Sequence, residues 1–251
     1  MNTNVKTAFS LLAFILMLCQ ASFAKRIEFD YTKETLSNGQ LNLNYNYCLV
    51  SGWQDNVIVS NALFSDRDHN KDTLVALGAY HNFSKALYLY VNGAYNFSPS
   101  VFASNGIETE VGYNIVSPWV LVASYKRRNY PLSFIETYSP GIDYYLTLPA
   151  WISARYYVSK ANDGTMSYSS LFKLFYDLND SARAYIGYAS GNESYKDLST
   201  AAVFGFNAST TMAGIQVKVV KDLSLKFDVS RESRDNGVTN LSTNYGVSYQ
   251  W

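Results

Sequence analysis

Hydrophobic and polar residues alternate along most of this chain with a period of two. A period of two is typical of a β-strand with one apolar and one polar face. It is clearest in the last segment, NLSTNYGVSYQW, where Leu241, Tyr245, Val247, Tyr249 and Trp251 share one face. A strand of this kind needs a pairing partner, so we expect the last strand to pair with the first. The same alternation recurs in RIEFDYT, QLNLNYNY, GIETEVGYNI, ARAYIGYA, GIQVKVV and LSLKFDVS.

The alternating runs and the residues that break them predict fourteen strands. The five prolines fall between the runs or at their edges, where a missing N–H is tolerated. Asn38-Gly39 predicts a tight hairpin. Twelve strands, with the first hairpin outside the sheet, are an alternative. The fourteen predicted strands span residues 26–35, 41–49, 54–64, 73–82, 86–96, 106–115, 119–128, 140–147, 150–159, 168–177, 182–190, 209–219, 223–231 and 241–251.

The N-terminal segment has the pattern of a secretory signal. Lys6 precedes the apolar run AFSLLAFILMLC, and the small residues Ser22 and Ala24 follow it. The apolar run is shorter than the roughly 20 residues of a membrane-spanning helix. We therefore predict a signal peptide over residues 1–24 and a mature domain over residues 25–251.

Composition excludes several classes of function. Removal of Lys6 leaves 19 basic residues beside 20 acidic ones, a net charge of about −1, which argues against nucleic acid as a partner. Cys48 is the single cysteine of the mature sequence, so we expect no disulfide and no thiolate metal cluster. With only two histidines, we expect no metal site and no cofactor. The pattern does not specify an oligomeric state.

The segments between the predicted strands alternate between short and long. Short turns on one rim and long loops on the other are typical of a bacterial outer-membrane β-barrel. An even strand number puts both termini on the short-turn, periplasmic side. The four tryptophans fall at that rim, where bilayer interfaces favour them: Trp53, Trp119, Trp151 and Trp251. The sequence thus predicts an all-β transmembrane antiparallel barrel exported to the outer membrane.

The polar faces of the predicted strands carry charges of both signs and several tyrosines. Such a lining suits a conduit for small polar solutes or glycan, because about fourteen strands can enclose water. Opposite charges on neighbouring strands could equally pair and plug a narrow lumen, and both hypotheses stay open here. The candidate lumen residues are Glu108, Glu110, Lys126, Asp143, Arg155, Tyr157, Lys173, Arg183, Tyr185, Lys226 and Asp228.

Two other hypotheses concern the outer rim. Ser65, Asp66, Asp68 and His69 lie in one predicted loop and could serve a barrel-embedded hydrolase, although a solvated loop has the same composition. The run Lys126, Arg127 and Arg128 ends a strand where lipopolysaccharide phosphates would lie, and arginine suits bidentate phosphate contacts. Arg127 and Arg128 are therefore candidate lipopolysaccharide contacts. The alternative is that they simply form a solvated strand end.

Several segments resemble the YaiO family of outer-membrane barrels. They are YSPGIDYYL followed by AWISARYYVS, the LSNG hairpin, and DLSLKFDVSRES before the last strand. The resemblance spans roughly residues 26–251. It implies a membrane barrel and a link to exopolysaccharide export. Apart from the family, the aromatic last residue Trp251 resembles the signature read by the outer-membrane assembly machinery, and we expect the apolar outer face to contact outer-membrane lipid.

Overall fold

The computed structural model describes residues 24–53, 56–67, 70–100, 102–191 and 207–251. The predicted signal peptide lies outside these residues except for Ala24. Among the described residues, no helix has the length and hydropathy of a membrane span. The described elements are fourteen strands: β1 Ala24–Leu36, β2 Leu41–Trp53, β3 Asn56–Arg67, β4 Asn70–Asn82, β5 Leu87–Asn96, β6 Asn105–Val116, β7 Trp119–Asn129, β8 Phe134–Tyr145, β9 Ala150–Ala161, β10 Met166–Asn179, β11 Ala182–Gly191, β12 Ala208–Val220, β13 Leu223–Arg234 and β14 Thr239–Gln250.

The strands form a closed antiparallel barrel in which each strand pairs with its neighbours in sequence. The barrel closes between β1 and β14, from Arg26 opposite Gln250 to Leu36 opposite Asn240. Closure is required because an unpaired backbone group in hydrocarbon costs several kcal/mol. The prediction of a fourteen-stranded barrel closed by its last strand is confirmed, and the twelve-strand alternative is wrong.

The distribution of side chains is the reverse of that in a soluble protein. Leu77 and Ile186 are exposed on the outer face, at 58% and 61% of their maximum areas. The largest fully buried side chains include Glu232, Asn96 and Asp72, which are polar. Outer positions therefore match an apolar solvent, whereas polar groups are enclosed and paired with one another.

Turn residues explain the tight connections at the end of the barrel opposite the termini, here called the outer end. Gly39, Gly164 and Gly237 have φ values of 89°, 87° and 80°, a region that favours glycine. In each turn the preceding Asn or Asp side chain accepts a hydrogen bond from the backbone N–H two residues later. These N-G and D-G pairs close hairpins by ordinary turn chemistry.

Strands extend further at the outer end than the sequence predicted. Strand β8 begins at Phe134 rather than at residue 140, and β13 continues to Arg234. The predicted loop SDRDHNKD is largely paired strand, since Ser65 lies opposite Asp72. Backbone pairing does not require lipid-facing hydrophobes, so the sheet continues where the apolar pattern stops. The expected contrast between short and long connections is correspondingly weaker.

Pro140 corrects one element of the prediction. It lies inside β8 opposite Ala123, and was expected at a strand edge. Pairing between β8 and β9 is interrupted there, between Tyr138 opposite Val158 and Gly141 opposite Arg155. An interruption of the ladder is where a strand accommodates a residue without an N–H.

A lysine on the outer face tests the membrane orientation of the barrel. Ile186 lies near the middle of β11, and Ile186→Lys should lower the free energy of unfolding by about 2–4 kcal/mol because the charge meets acyl chains. Denaturant titration in lipid vesicles measures this loss. The control Ser230→Lys places the same charge on the inner face. Equal losses in the two variants would contradict the assignment of the faces.

Candidate functional site in the barrel lumen

The inner wall between β5 and β9 carries a connected group of charged and tyrosine side chains. Lys126 Nζ lies 3.0 Å from Glu108 Oε2, directly across the β6–β7 ladder. Tyr88 donates a 2.8 Å hydrogen bond to Glu110. Arg155 binds both carboxylate oxygens of Asp143, at 2.8 and 2.9 Å. Two planar bonds of this kind fix the guanidinium in one orientation.

Tyr157 extends this group, because it lies two residues from Arg155 on the same face of β9. The rings of Tyr80 and Tyr90 stack with their centroids 4.2 Å apart on the same wall. The five charged candidates on β6–β9 and Tyr157 therefore lie in one part of the lumen. Their role in transport stays a prediction.

A second group lies between β10 and β1. Lys226 Nζ is 3.2 Å from Asp228 and 3.7 Å from Asp30, and Asn244 donates a 2.9 Å bond to Asp228. Thr32 in turn donates to Asn244 at 2.9 Å. Opposite charges and amides alternate along this wall, so the carboxylates have partners without crossing the lumen.

The remaining three candidates belong to this second group. Lys173 Nζ lies 5.2 Å from the ring centroid of Tyr185, within the range of a cation–π contact. Arg183 forms a 2.6 Å bond to Asp177, and its guanidinium carbon is 4.6 Å from the ring centroid of Trp151. These contacts hold long side chains close to their own strands.

Glycines on neighbouring strands let bulky lumen side chains lie against the wall. The rings of Tyr88 and Tyr185 occupy the space that a Cβ would need at Gly112 and Gly214. Additional pairs of this type are Arg155 on Gly141, Tyr90 on Gly78, and Asp30 on Gly246. A residue without a side chain accepts the close approach, so these groups fold sideways instead of projecting toward the barrel axis.

The four tryptophans all lie at the strand ends next to the termini, but they differ in orientation. Trp119 packs on Tyr144 at 4.2 Å and is exposed on the outer face, and Trp251 stacks on Tyr249 at 5.9 Å. The side chain of Trp53 lies outside the described residues.

Trp151 corrects the prediction of an interface aromatic. It shares the inner face of β9 with Arg155, and its ring stacks on Phe175 with centroids 4.6 Å apart and planes 7° apart. The period of two forces this placement, because positions 151 and 155 have the same parity. Trp151 therefore lines the lumen near the terminal end of the barrel.

The two candidate lipopolysaccharide contacts lie on opposite faces. Arg127 faces outward, where it lies 3.3 Å from Glu136 and 4.2 Å from the ring centroid of Phe134. Arg128 lies on the inner face opposite Gly106 and interacts with Tyr130. The expectation that Arg128 contacts lipopolysaccharide is thus wrong, because consecutive strand residues point to opposite sides.

The residues of the hydrolase hypothesis do not assemble within the described part of the chain. Ser65 is buried on the inner face, whereas Asp66 lies on the outer face and pairs with Lys71 at 3.5 Å. Asp68 and His69 lie outside the described residues. In such a site a base must bond both to the nucleophile and to the acid that orients it, and Ser65 and Asp66 lie on opposite sides of one strand.

One acidic residue at the outer end was missed by the sequence reasoning. Asp72 is only 2% exposed, and its carboxylate accepts bonds from the N–H and hydroxyl of Ser100, the N–H of Phe102 and the amide of Asn96. These bonds hold the described part of the β5–β6 connection over the lumen. Asp72 had been assigned to a loop, so its inward direction was not considered.

The position of Arg127 generates a test of membrane contact. We propose that Arg127, whose guanidinium offers five donors, also binds a lipopolysaccharide phosphate. Arg127→Ala should then lower the amount of lipopolysaccharide that co-purifies per mole of folded barrel. The inward-facing variant Arg128→Ala is the matched control. Unchanged retention in Arg127→Ala would remove the proposal.

Solved structures with similar backbones are outer-membrane channels and related barrels. The CymD monoaromatic hydrocarbon channel has a TM-score of 0.63 and 9% identity, over 93% of this chain and 90% of that chain. A bacterial polysaccharide outer membrane secretin has a TM-score of 0.59 and 6% identity, over 90% of this chain and 98% of that chain. The KdgM porin has a TM-score of 0.52 and 12% identity, over 89% of this chain and 99% of that chain. At these identities the likeness establishes a porin-like fold.

The search of curated proteins found no match. A family model described as the YaiO membrane beta barrel domain matches residues 24–196, from β1 to just beyond β11. The resemblance predicted from the sequence extended to residue 251, so the last three strands lie outside the matched part. The match covers more than half of the chain. The chain therefore belongs to the YaiO membrane beta-barrel domain family.

Proposed function

We propose that this outer-membrane barrel is a conduit for small polar solutes, including saccharides. The observation that carries the proposal is the seating of bulky lumen side chains on glycines of adjacent strands. Tyr88 on Gly112 and Tyr185 on Gly214 lie along the wall. A lumen whose large residues fold sideways keeps space along its axis, as transport requires.

The pairing of charges supports polar solutes of low net charge. Glu108 pairs with Lys126, and Asp143 pairs with Arg155. Both of these carboxylates have their counter-ion on a neighbouring strand, so the wall is polar and carries little uncompensated charge at these two sites. Hydroxyl-rich solutes can exchange hydrogen bonds with such a wall without meeting a strong field.

Similar barrels support transport as the general role. Their descriptions name a channel for monoaromatic hydrocarbons, a porin and a polysaccharide secretin. These proteins share the barrel fold but differ in the solutes that their descriptions name, so the choice of solute depends on the lining residues. The amides, hydroxyls and tyrosines of this lumen favour saccharides over hydrocarbons.

Single-channel recording tests the conduit. Wild-type protein in a planar lipid bilayer should give stepwise conductance, whereas Gly112→Ala should lower the unit conductance. The added Cβ overlaps the ring of Tyr88, which must then move toward the axis. A plugged barrel would give no steps under voltage in either protein, and that silence would overturn the proposal.

Gly93→Ala is the matched control for this experiment. Gly93 lies on the outer face of β5, and a Cβ there would have no atom within 4 Å. Its conductance should equal that of the wild type. The difference in electrophoretic mobility between boiled and unboiled samples should show that all three proteins are folded.

We extend the proposal to exopolysaccharide export. A strain that lacks the chain should release less exopolysaccharide, and the wild-type gene should restore the amount. Complementation with Gly112→Ala should restore less than complementation with Gly93→Ala, because only Gly112→Ala narrows the lumen. Equal release of exopolysaccharide by all strains would contradict a role in export and would leave the conduit proposal unaffected.

A further inference from the structure

A cavity of about 380 Å³ lies against the inner wall between β2 and β7. Its volume falls in the range of roughly 300–1,000 Å³ that is typical of small-molecule sites. It lies near the outer end of the lumen, away from the aromatic residues around Trp151.

A row of small residues across three strands creates the cavity. Directly paired positions run from Asn61 to Ala76, Ala94, Gly106 and Arg128 on β3–β7. Ala76, Ala94 and Gly106 reach little beyond the backbone, so the wall is recessed there. Larger residues border the recess, with Leu63 and Leu74 among those toward the outer end and Asn92, Glu108 and Lys126 among those below.

The connection after β5 supplies the roof of this recess. Asp72 accepts backbone bonds from Ser100 and Phe102, and Phe102 and Ala103 both line the cavity. Ala103 is 7% exposed. The backbone of Phe102 is thus held at the cavity by a carboxylate that is itself fully buried.

The lining combines the groups that bind an uncharged sugar. Asn46, Asn61 and Asn92 line the cavity with side-chain amides, each able to donate to and accept from hydroxyl groups. Oδ1 of Asn92 has no hydrogen-bond partner among the described residues, and its terminal torsion is soft enough to turn toward a ligand. The Phe102 ring and two leucines offer apolar surface for the C–H face of a sugar ring.

The charges around the cavity already have partners. Lys126 pairs with Glu108 at 3.0 Å, and Arg128 interacts with Tyr130. A uronic acid would reach the Arg128 guanidinium only by competing with Tyr130, and it would also meet the Glu108 carboxylate. A neutral saccharide can bond to the amides without disturbing these contacts.

We infer that the recess beneath Phe102 is a binding subsite for one or two neutral hexose units of a saccharide passing through the lumen. The inference rests on the proposed conduit and specifies its solute class. The subsite holds the sugar between the ring of Phe102 and the small-residue floor, with amides at the sides. Such a subsite slows the solute at the outer end and selects it by hydrogen bonding.

Isothermal titration of the purified, folded chain in detergent tests the subsite without requiring conductance. The probes are maltose and cellobiose as neutral disaccharides, and digalacturonate as the acidic comparison. At least one neutral disaccharide should bind more tightly than digalacturonate. Ala94→Leu fills the recess and should weaken that binding roughly tenfold or more. Ser248→Leu adds a similar volume to the inner wall at the terminal end of the barrel, away from the cavity, and should leave the affinity unchanged.

Phe102→Ala is the second variant, because it removes the ring without touching the barrel wall. It should weaken neutral-sugar binding roughly fivefold, and it decides the question if Ala94→Leu does not fold. Absence of binding by the wild type, preference for digalacturonate, or unchanged affinity in Phe102→Ala would overturn the subsite.

Conductance of the same preparations separates the two proposals. A conducting barrel that binds no neutral sugar would overturn the subsite and leave the conduit intact. A silent barrel that binds sugar in the recess would overturn the conduit instead, and the recess would then be a binding site on a closed barrel.

Discussion

Backbone hydrogen bonding is the constraint on which this structure depends. In hydrocarbon no water is present to bond to the unpaired backbone N–H and C=O groups of a strand edge. The pairing of β1 with β14 therefore fixes the topology. Once the sheet is closed, the period of two assigns every side chain to lipid or to lumen. The buried groups are consequently polar, and Glu232 and Asp72 are among the most enclosed side chains described.

An enclosed polar interior must satisfy its own charges, and this chain does so along the wall. Counter-ions lie on the same strand or within two strands of each other, as in the contacts of Lys226 with Asp228 and Asp30. Glycines such as Gly246 make room for these contacts. The arrangement that stabilises the wall is also the one that supports the proposed conduit, since side chains that bind sideways do not fill the centre.

The alternation in the sequence was sufficient to predict the strand number, the closure and the faces of most candidates. Predictions failed where they relied on residue type or on adjacency in sequence instead of on the alternation of strand faces. Trp151 was assigned to the bilayer interface by residue type, although its parity with Arg155 places it in the lumen. Arg128 was grouped with Arg127 because the two are adjacent in sequence, although consecutive residues of a strand point to opposite faces.

Other features could not be read from the pattern because they depend on register between strands. The recess needs Ala76, Ala94 and Gly106 to be level, and only the ladder of β4–β6 shows this. The anchoring of Ser100 and Phe102 by Asp72 joins residues that are about 30 positions apart. Strand ends also continued past the apolar pattern, because pairing in water follows the backbone alone.

The long outer strands have a consequence for what the cell presents to its surroundings. The turns at 162–165 and 235–238 leave only a few residues outside the sheet. A bacteriophage, an antibody or a secreted protease would meet short, hydrogen-bonded hairpins there and little flexible chain. These two turns are accordingly suited to carry an inserted epitope, since an addition at a hairpin tip leaves the ladders beneath it paired.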